Sequence, residues 1–265
     1  MKKRTSAALR PAREYVRPTR GQALIRFENL YKAFGDKVIY EDLSLTVNDG
    51  ETLTVIGGSG MGKSVLLKCL LGLIAPDSGR VIFENQDLTG FDEDDYRPVR
   101  HRIAMVFQGS ALFDSLTVGE NIAYPIRERF PQLPEDELAE RVHLKLDMVN
   151  LPDAAPLWPA ELSGGMRKRV GLARAIAVDP EVILWDEPTS GLDPISTRMI
   201  NDLILLMQKE MKTTSIVVTH DMASAERVSD RIAMLANHTI VEVGTVEQMR
   251  QSKHPDVRAF IHAHV

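Results

Sequence analysis

Two rhythms of apolar and polar positions run along this chain. LIRFENLYKAF (residues 24–34) and VIYEDLSLTV (38–47) have the composition of β-strands, and Gly35-Asp36 supplies a tight turn between them. TLTVIG (52–57) reads as a buried strand that runs into an apolar helix, SVLLKCLLGLIA (64–75). GRVIFENQDLT (79–89) reads as a further strand pair, and RIAMVFQ (102–108) as a strand ending in Gln108. From 109 to about 178 the pattern turns helical, with prolines at 125, 131, 134, 152, 156 and 159 predicted to break the segments. EVILWDEP (181–188) is apolar until its acidic end, as expected of a central parallel strand covered on both faces. A helix from Ser196, a strand TSIVVTH (214–220), another helix and a hairpin RIAMLANHTIVEVG (231–244) follow. Thr245-x-x-Gln248 has the capping-box spacing of a further helix.

Strands that alternate with helices predict an α/β fold with a mostly parallel sheet, preceded by an antiparallel β part and interrupted by a helical subdomain at about 109–178. The expected layout is an arm at 1–22, one catalytic domain at 23–250 and a tail at 251–265. In the tail, Val257, Phe260 and Ile261 fall on one helical face, and Pro255 suits a first turn. That stripe packs on its own subunit or docks on a partner, and the spacing leaves both open.

Charge refines this picture. The chain has 265 residues and a net charge of −5, yet residues 1–22 carry seven basic side chains against one acidic, so the body is acidic. The arm suits a solvated tail, or contact with anionic lipid or another subunit. The acidic body argues against nucleic acid as the main partner. No apolar run approaches the ~18 residues that span a bilayer. The single cysteine, Cys69, excludes an intramolecular disulfide.

Two stretches have the chemistry of phosphate loops. Gly57, Gly58, Ser59, Gly60, Met61, Gly62, Lys63 and Ser64 fit the pattern G-x4-G-K-[ST], with Val65 next to it, after a strand and before a helix. Backbone N–H groups at such a loop close on phosphate oxygens, and the helix N-terminus adds positive potential. Lys63 can reach the outer phosphates and the Ser64 hydroxyl can ligate Mg²⁺. Asp186 and Glu187 end the apolar strand 181–185, where Asp186 can hold Mg²⁺ and Glu187 can polarise the attacking water as general base. The second stretch is ELSGGMRKR (161–169), in which a serine and two glycines open a basic helix.

With these parts in place, residues 24–245 closely resemble the ATP-binding cassette family, a P-loop NTPase core. The resemblance implies ATP and Mg²⁺ as cofactors and a homodimer that sandwiches two ATPs head to tail. Each chain would bring its phosphate loop to one ATP, and Ser163, Gly164 and Gly165 to the other. By match to the family, Phe34 stacks on adenine, with Tyr31 as a competitor. Gln108 senses Mg²⁺ and the attacking water, Asp193 lies in the loop that communicates across the dimer, and His220 contacts the γ-phosphate. Met166 stands where the family usually has glutamine, and it cannot donate an amide's hydrogen bonds.

The segments GGMRKRVGLARA and GGSGMGKS look like one branch, the ATPases of Mla-type, MCE-associated phospholipid transporters of Gram-negative envelopes. That branch implies a peripheral position on the cytoplasmic side of the inner membrane. It also implies a membrane-embedded permease, a periplasmic MCE-domain protein and a small STAS-domain protein as partners. The alternatives are the ATPase of an amino-acid or other small-solute transporter, which would prefer glutamine at 166, and a non-transport cassette. Repair cassettes need long coiled-coil heptads and translation cassettes carry two cassettes in one chain, neither of which is present.

Overall fold

The computed structural model describes residues 19–264, so most of the basic arm lies outside the described residues. Two sheets organise the chain. The first is antiparallel: β1 (Ala23–Phe34) pairs with β2 (Lys37–Asn48), and its other edge takes β4 (Ser78–Phe83) and the short β5 (Gln86–Asp87). The second has six strands in the order β10-β9-β3-β8-β7-β6. Its members are β3 (Thr52–Ile56), β6 (Ile103–Val106), β7 (Val182–Asp186), β8 (Thr214–Thr219), β9 (Arg231–Ala236) and β10 (Thr239–Gly244). All of its pairs are parallel except the β9–β10 hairpin.

β3, β7 and β8 are buried at every residue, which is why they carry only apolar side chains and small hydroxyls apart from Asp186 at the rim. Register aligns Ile56 with Thr219 and Asp186 with Val218, so three strands end at one level and their loops leave from one rim. Ligands of parallel α/β sheets bind at the carboxyl ends of the strands.

The helices are α1 (Lys63–Leu70), α2 (Glu93–Arg100), α3 (Val118–Arg129), α4 (Glu135–Met148), α5 (Gly164–Ala175), α6 (Pro194–Glu210), α7 (Met222–Val228), α8 (Val246–Arg250) and α9 (Pro255–His264). Three apolar clusters hold them. One lies between α1 and the two sheets, around Phe27, Leu43, Leu53, Leu66 and Leu184. A second joins α3, α4, α5 and α6 to the main sheet through Ile183 and Trp185. The third gathers Ile56, Met222, Ile232, Met234, Met249 and Val257.

Three details depart from the sequence reading, and a fourth decides between the alternatives it left open. α2 was not expected; a reciprocal Asp92–Asp95 capping box starts it, and only Tyr96 and Val99 bury its inner face. α6 starts at Pro194 rather than Ser196, because Asp193 caps it and proline suits the first helical position. Pro125 does not break its segment; α3 runs through it, held by buried Val118, Ile122, Ala123 and Ile126. Finally, the tail is helical and packs on its own chain: Val257 is fully buried in the third cluster and Phe260 and Ile261 lean on it.

Candidate functional site

The phosphate loop is shaped from below. Gly62, the N-cap of α1, sits at φ 100°, in the left-handed region. A Cβ there would fall 2.5 Å from Ile39 Cγ2 and 3.1 Å from the Tyr40 ring. The Tyr40 hydroxyl donates to the Gly62 carbonyl at 2.5 Å, and burial holds that phenol protonated well above its ordinary range. The loop is thus fixed by the first sheet before any ligand arrives.

Lys63, at 7% exposure, curls back over the loop and donates to the carbonyls of Gly57 (2.9 Å) and Gly58 (3.1 Å). Its ammonium lies 3.6 Å from Glu187 Oε1. The next residue, Ser64, donates its hydroxyl to Asp186 Oδ1 at 2.5 Å. Glu187 follows Asp186 at the end of β7 with a left-handed backbone, φ 48°, a conformation unusual for a side chain of this size. Its N–H donates to the Val218 carbonyl at 2.9 Å as the last rung between β7 and β8, and beyond it the left-handed turn takes the chain out of the sheet. His220, just beyond β8, pairs through Nδ1 with Glu187 Oε2 at 2.9 Å. A carboxylate accepts only, so Nδ1 carries the proton and Nε2 is left for another contact.

These groups surround a cleft of about 390 Å³ lined also by Ser59, Gly60, Val65 and Gln108. The arrangement can hold an anion on the loop and on Lys63, place a hard oxygen pair (Ser64, Asp186) beside it, and hold a carboxylate with an imidazole at its far side. The oxygen pair fits Mg²⁺, which keeps several waters and needs few protein ligands when phosphates supply the rest.

The structure places the other candidates as follows. Gln108 lies two residues past the end of β6 and its Nε2 faces Ser190 Oγ at 3.4 Å. Met61 lines an adjoining cavity with Ser59, Gly60 and Asn237 rather than the main cleft. Phe34 is half exposed at the end of β1, with Lys32 Nζ 5.1 Å from its ring. It does not line the cleft but pairs across the turn with Lys37, which does. Tyr31 is also partly exposed and pairs with Ser78.

Asp193 caps α6, accepting from Ile195 N (2.9 Å), Ser196 N (3.0 Å) and Ser196 Oγ (2.6 Å); these donors, the Ser196 hydroxyl first, hold its carboxyl below the usual range. Ser163 caps α5 by accepting from Met166 N at 3.2 Å. Ser163, Gly164 and Gly165 are not among the lining residues of the cleft, and the first two are exposed to solvent. Met166 packs against the second apolar cluster, so its side chain has a structural use that glutamine would fill poorly. Lys168 reads in the sequence as one charge in a basic run; in the structure its side chain reaches from α5 to the Glu187 loop and donates to the carbonyls of Pro188 and Ser190.

A second surface lies between β6 and the helices α3 and α5. It is a groove of about 310 Å³ with an exposed edge-to-face aromatic pair, Phe113 and Tyr124 (centroids 5.2 Å apart), and Arg174 stacked 5.3 Å from Phe113.

Residues 40–190 match the model of the ABC transporter family. The intermembrane phospholipid transport system ATP-binding protein MlaF of Haemophilus influenzae is 41% identical over 240 residues, which is 91% of this chain and 90% of that protein. The methionine import ATP-binding protein MetN of Rhizobium johnstonii is 40% identical over 225 residues, 85% of this chain and 62% of that protein. Among solved structures, a dimeric ATP-binding cassette in a post-hydrolysis state bound to ADP and Pi superposes with a TM-score of 0.78 at 30% identity, covering 84% of this chain and 99% of that one. A loop, a lysine and a carboxylate end built in this way, within a chain so matched, place the protein in the ABC transporter family as an ATP-hydrolysing subunit.

Proposed function

We propose that this chain powers an envelope transporter that moves phospholipid and maintains outer-membrane lipid asymmetry. Two copies would act beneath a membrane-embedded permease on the cytoplasmic face of the inner membrane. The observation that carries the lipid assignment is the reach of the similarity: the phospholipid-system relative matches over nine-tenths of both chains, whereas the methionine importer extends well beyond the match. The further partners would be a periplasmic MCE-domain protein and a small STAS-domain protein. No helix among the described residues is long and apolar enough to cross a membrane, so coupling to transport has to pass through a surface. The aromatic and basic groove at Phe113, Tyr124 and Arg174 is suited to receive a helix of the permease.

In this reading the loop Gly57–Val65 cradles the phosphates and Phe34 stacks on adenine. Lys63 leaves its own loop carbonyls for the outer phosphates. Ser64, Asp186 and Gln108 would hold Mg²⁺, which when bound neutralises charge on the transferred phosphoryl group. Glu187 takes a proton from the attacking water, and His220 orients that carboxylate through Nδ1 while turning Nε2 to the γ-phosphate. Ser163, Gly164 and Gly165 present a hydroxyl and a helix N-terminus to the partner's nucleotide, and Asp193 holds the connecting loop.

The test is Glu187→Gln in the assembled complex. MgATP binding persists while turnover falls by about 10²–10⁴-fold, the loss expected when a general base is removed; near-parental hydrolysis would sink the assignment. The substrate class is tested separately, by ATP-dependent movement of a labelled phospholipid between vesicles carrying the complex. A second reading, an amino-acid importer, is favoured by the methionine-import relative, and ATP turnover stimulated by an amino acid and not by phospholipid would establish it instead.

A further inference from the structure

Under the proposed function, α5 and the Glu187 loop serve different nucleotides. The N-terminus of α5 faces the ATP held by the partner, and Glu187 faces the chain's own. In the structure the two are tied together. Lys168, in the second turn of α5, donates to the Pro188 carbonyl at 3.0 Å and the Ser190 carbonyl at 2.5 Å. Both acceptors lie within three residues of Glu187. The ammonium is partly buried; burial lowers its pKa and the Glu187 carboxylate opposes that.

At its β7 end Glu187 is held by the Val218 carbonyl, Lys63 and His220, and Leu192 packs on the second apolar cluster; between them the loop's other hydrogen bonds are longer than those of Lys168. Ser190 N donates to the Glu187 carbonyl and Leu192 N to Thr189, each at 3.2 Å, and both bonds are internal to the loop. From outside, Gln108 reaches the Ser190 hydroxyl only at 3.4 Å. A second contact lies where the loop enters α6: a Cβ on Gly165 would fall 2.8 Å from Ser196 Oγ, and Ser196 in turn donates to Asp193. The first two turns of α5 therefore touch the loop near each of its ends. A shift of α5 would be passed through these contacts to the loop and to the left-handed backbone of Glu187.

We propose that Lys168 is a positioning residue that couples the two sites within one chain: when Ser163–Gly165 dock on the partner's nucleotide, the Lys168 bridge sets the Glu187 loop for hydrolysis of the chain's own ATP. The inference rests on the reading of Glu187 as base, and the two fail separately. If Glu187→Gln hydrolyses ATP at the parental rate, the base assignment falls whatever Lys168 does.

The experiment compares Lys168→Met, which keeps the stem and removes the donors, with Lys168→Arg, which restores donors, in the full chain assembled as it functions. Lys168→Met is expected to bind ATP within about threefold of the parent while kcat falls by on the order of tenfold to a hundredfold, the range for a displaced catalytic group. Lys168→Arg should recover most of that turnover, and the melting temperature should be shared by all three. The proposal is overturned if Lys168→Met turns over within about twofold of the parent. It is equally overturned if Lys168→Arg is as slow as Lys168→Met, or if affinity and melting temperature fall together with the rate, which is the signature of packing alone.

Discussion

Gly62 concentrates the demands placed on a single residue here. It must turn left-handed, start α1, accept from Tyr40 and leave room for Ile39. Gly62→Ala should cost roughly 1–3 kcal/mol from backbone strain alone, and the displaced loop should bind ATP at least tenfold more weakly; equilibrium unfolding and nucleotide titration measure the two. Cys69 makes the opposite prediction, of inertness. It is fully buried in α1, and burial pushes its thiol up to about 12. The thiolate is the reactive form, so at neutral pH an alkylating reagent should label the native chain only as fast as it unfolds, and denaturant should expose the thiol at once. The phosphate loop was legible in the sequence because its constraint is local: glycines, lysine and serine at fixed spacing leave few alternatives. Lys168 was illegible because its partners are backbone carbonyls about twenty residues away, which carry no residue-type signal. The contact between Glu187 and His220 stood between these cases: strand ends predicted their level, but only the parallel register brought them to 2.9 Å.

At the scale of elements, the central strands were legible because burial on both faces leaves short runs of β-branched, apolar and small hydroxyl residues, unbroken by large polar groups until the rim. α2 was not, since EDDYRPVR offers only two inward residues and a proline, and its capping box uses aspartates rather than the Ser/Thr and Glu/Gln pattern. α9 was legible as a helix but not in its destination, because an apolar stripe names no partner. The structure sends it to its own chain, and this makes a prediction. Truncation after Lys253 removes Val257, whose full burial is worth roughly 1.5–3 kcal/mol, together with the supporting contacts of Phe260 and Ile261. The truncated chain should melt lower as an isolated subunit, as calorimetry would read; an unchanged melting temperature would show that α9 adds nothing to the fold.

For the whole molecule, Ser163–Gly165 lie outside the cleft of the same chain, and under the proposed function they serve a second copy. Mixed dimers test this. Lys63→Ala disables a chain's own phosphate loop, and Ser163→Arg blocks the site it offers its partner. In a mixed pair one composite site carries both defects and the other carries none, so isolated subunits mixed in equal amounts should dimerise on ATP where neither variant does alone; a mixture that stays monomeric with ATP refutes the shared site. The α9 anchor has a different consequence, in the order of synthesis. Val257 completes the cluster that contains Ile56, the residue just before Gly57. A chain on the ribosome displays its phosphate loop long before it has made the residue that closes the packing beneath it. Domains fold as units once their distant parts are available. The nascent chain is therefore expected to hold nucleotide less firmly until α9 emerges, which ATP titration of the chain truncated after Lys253 would measure, and a fragment interrupted upstream of it carries the complete phosphate-loop motif on an unfinished foundation.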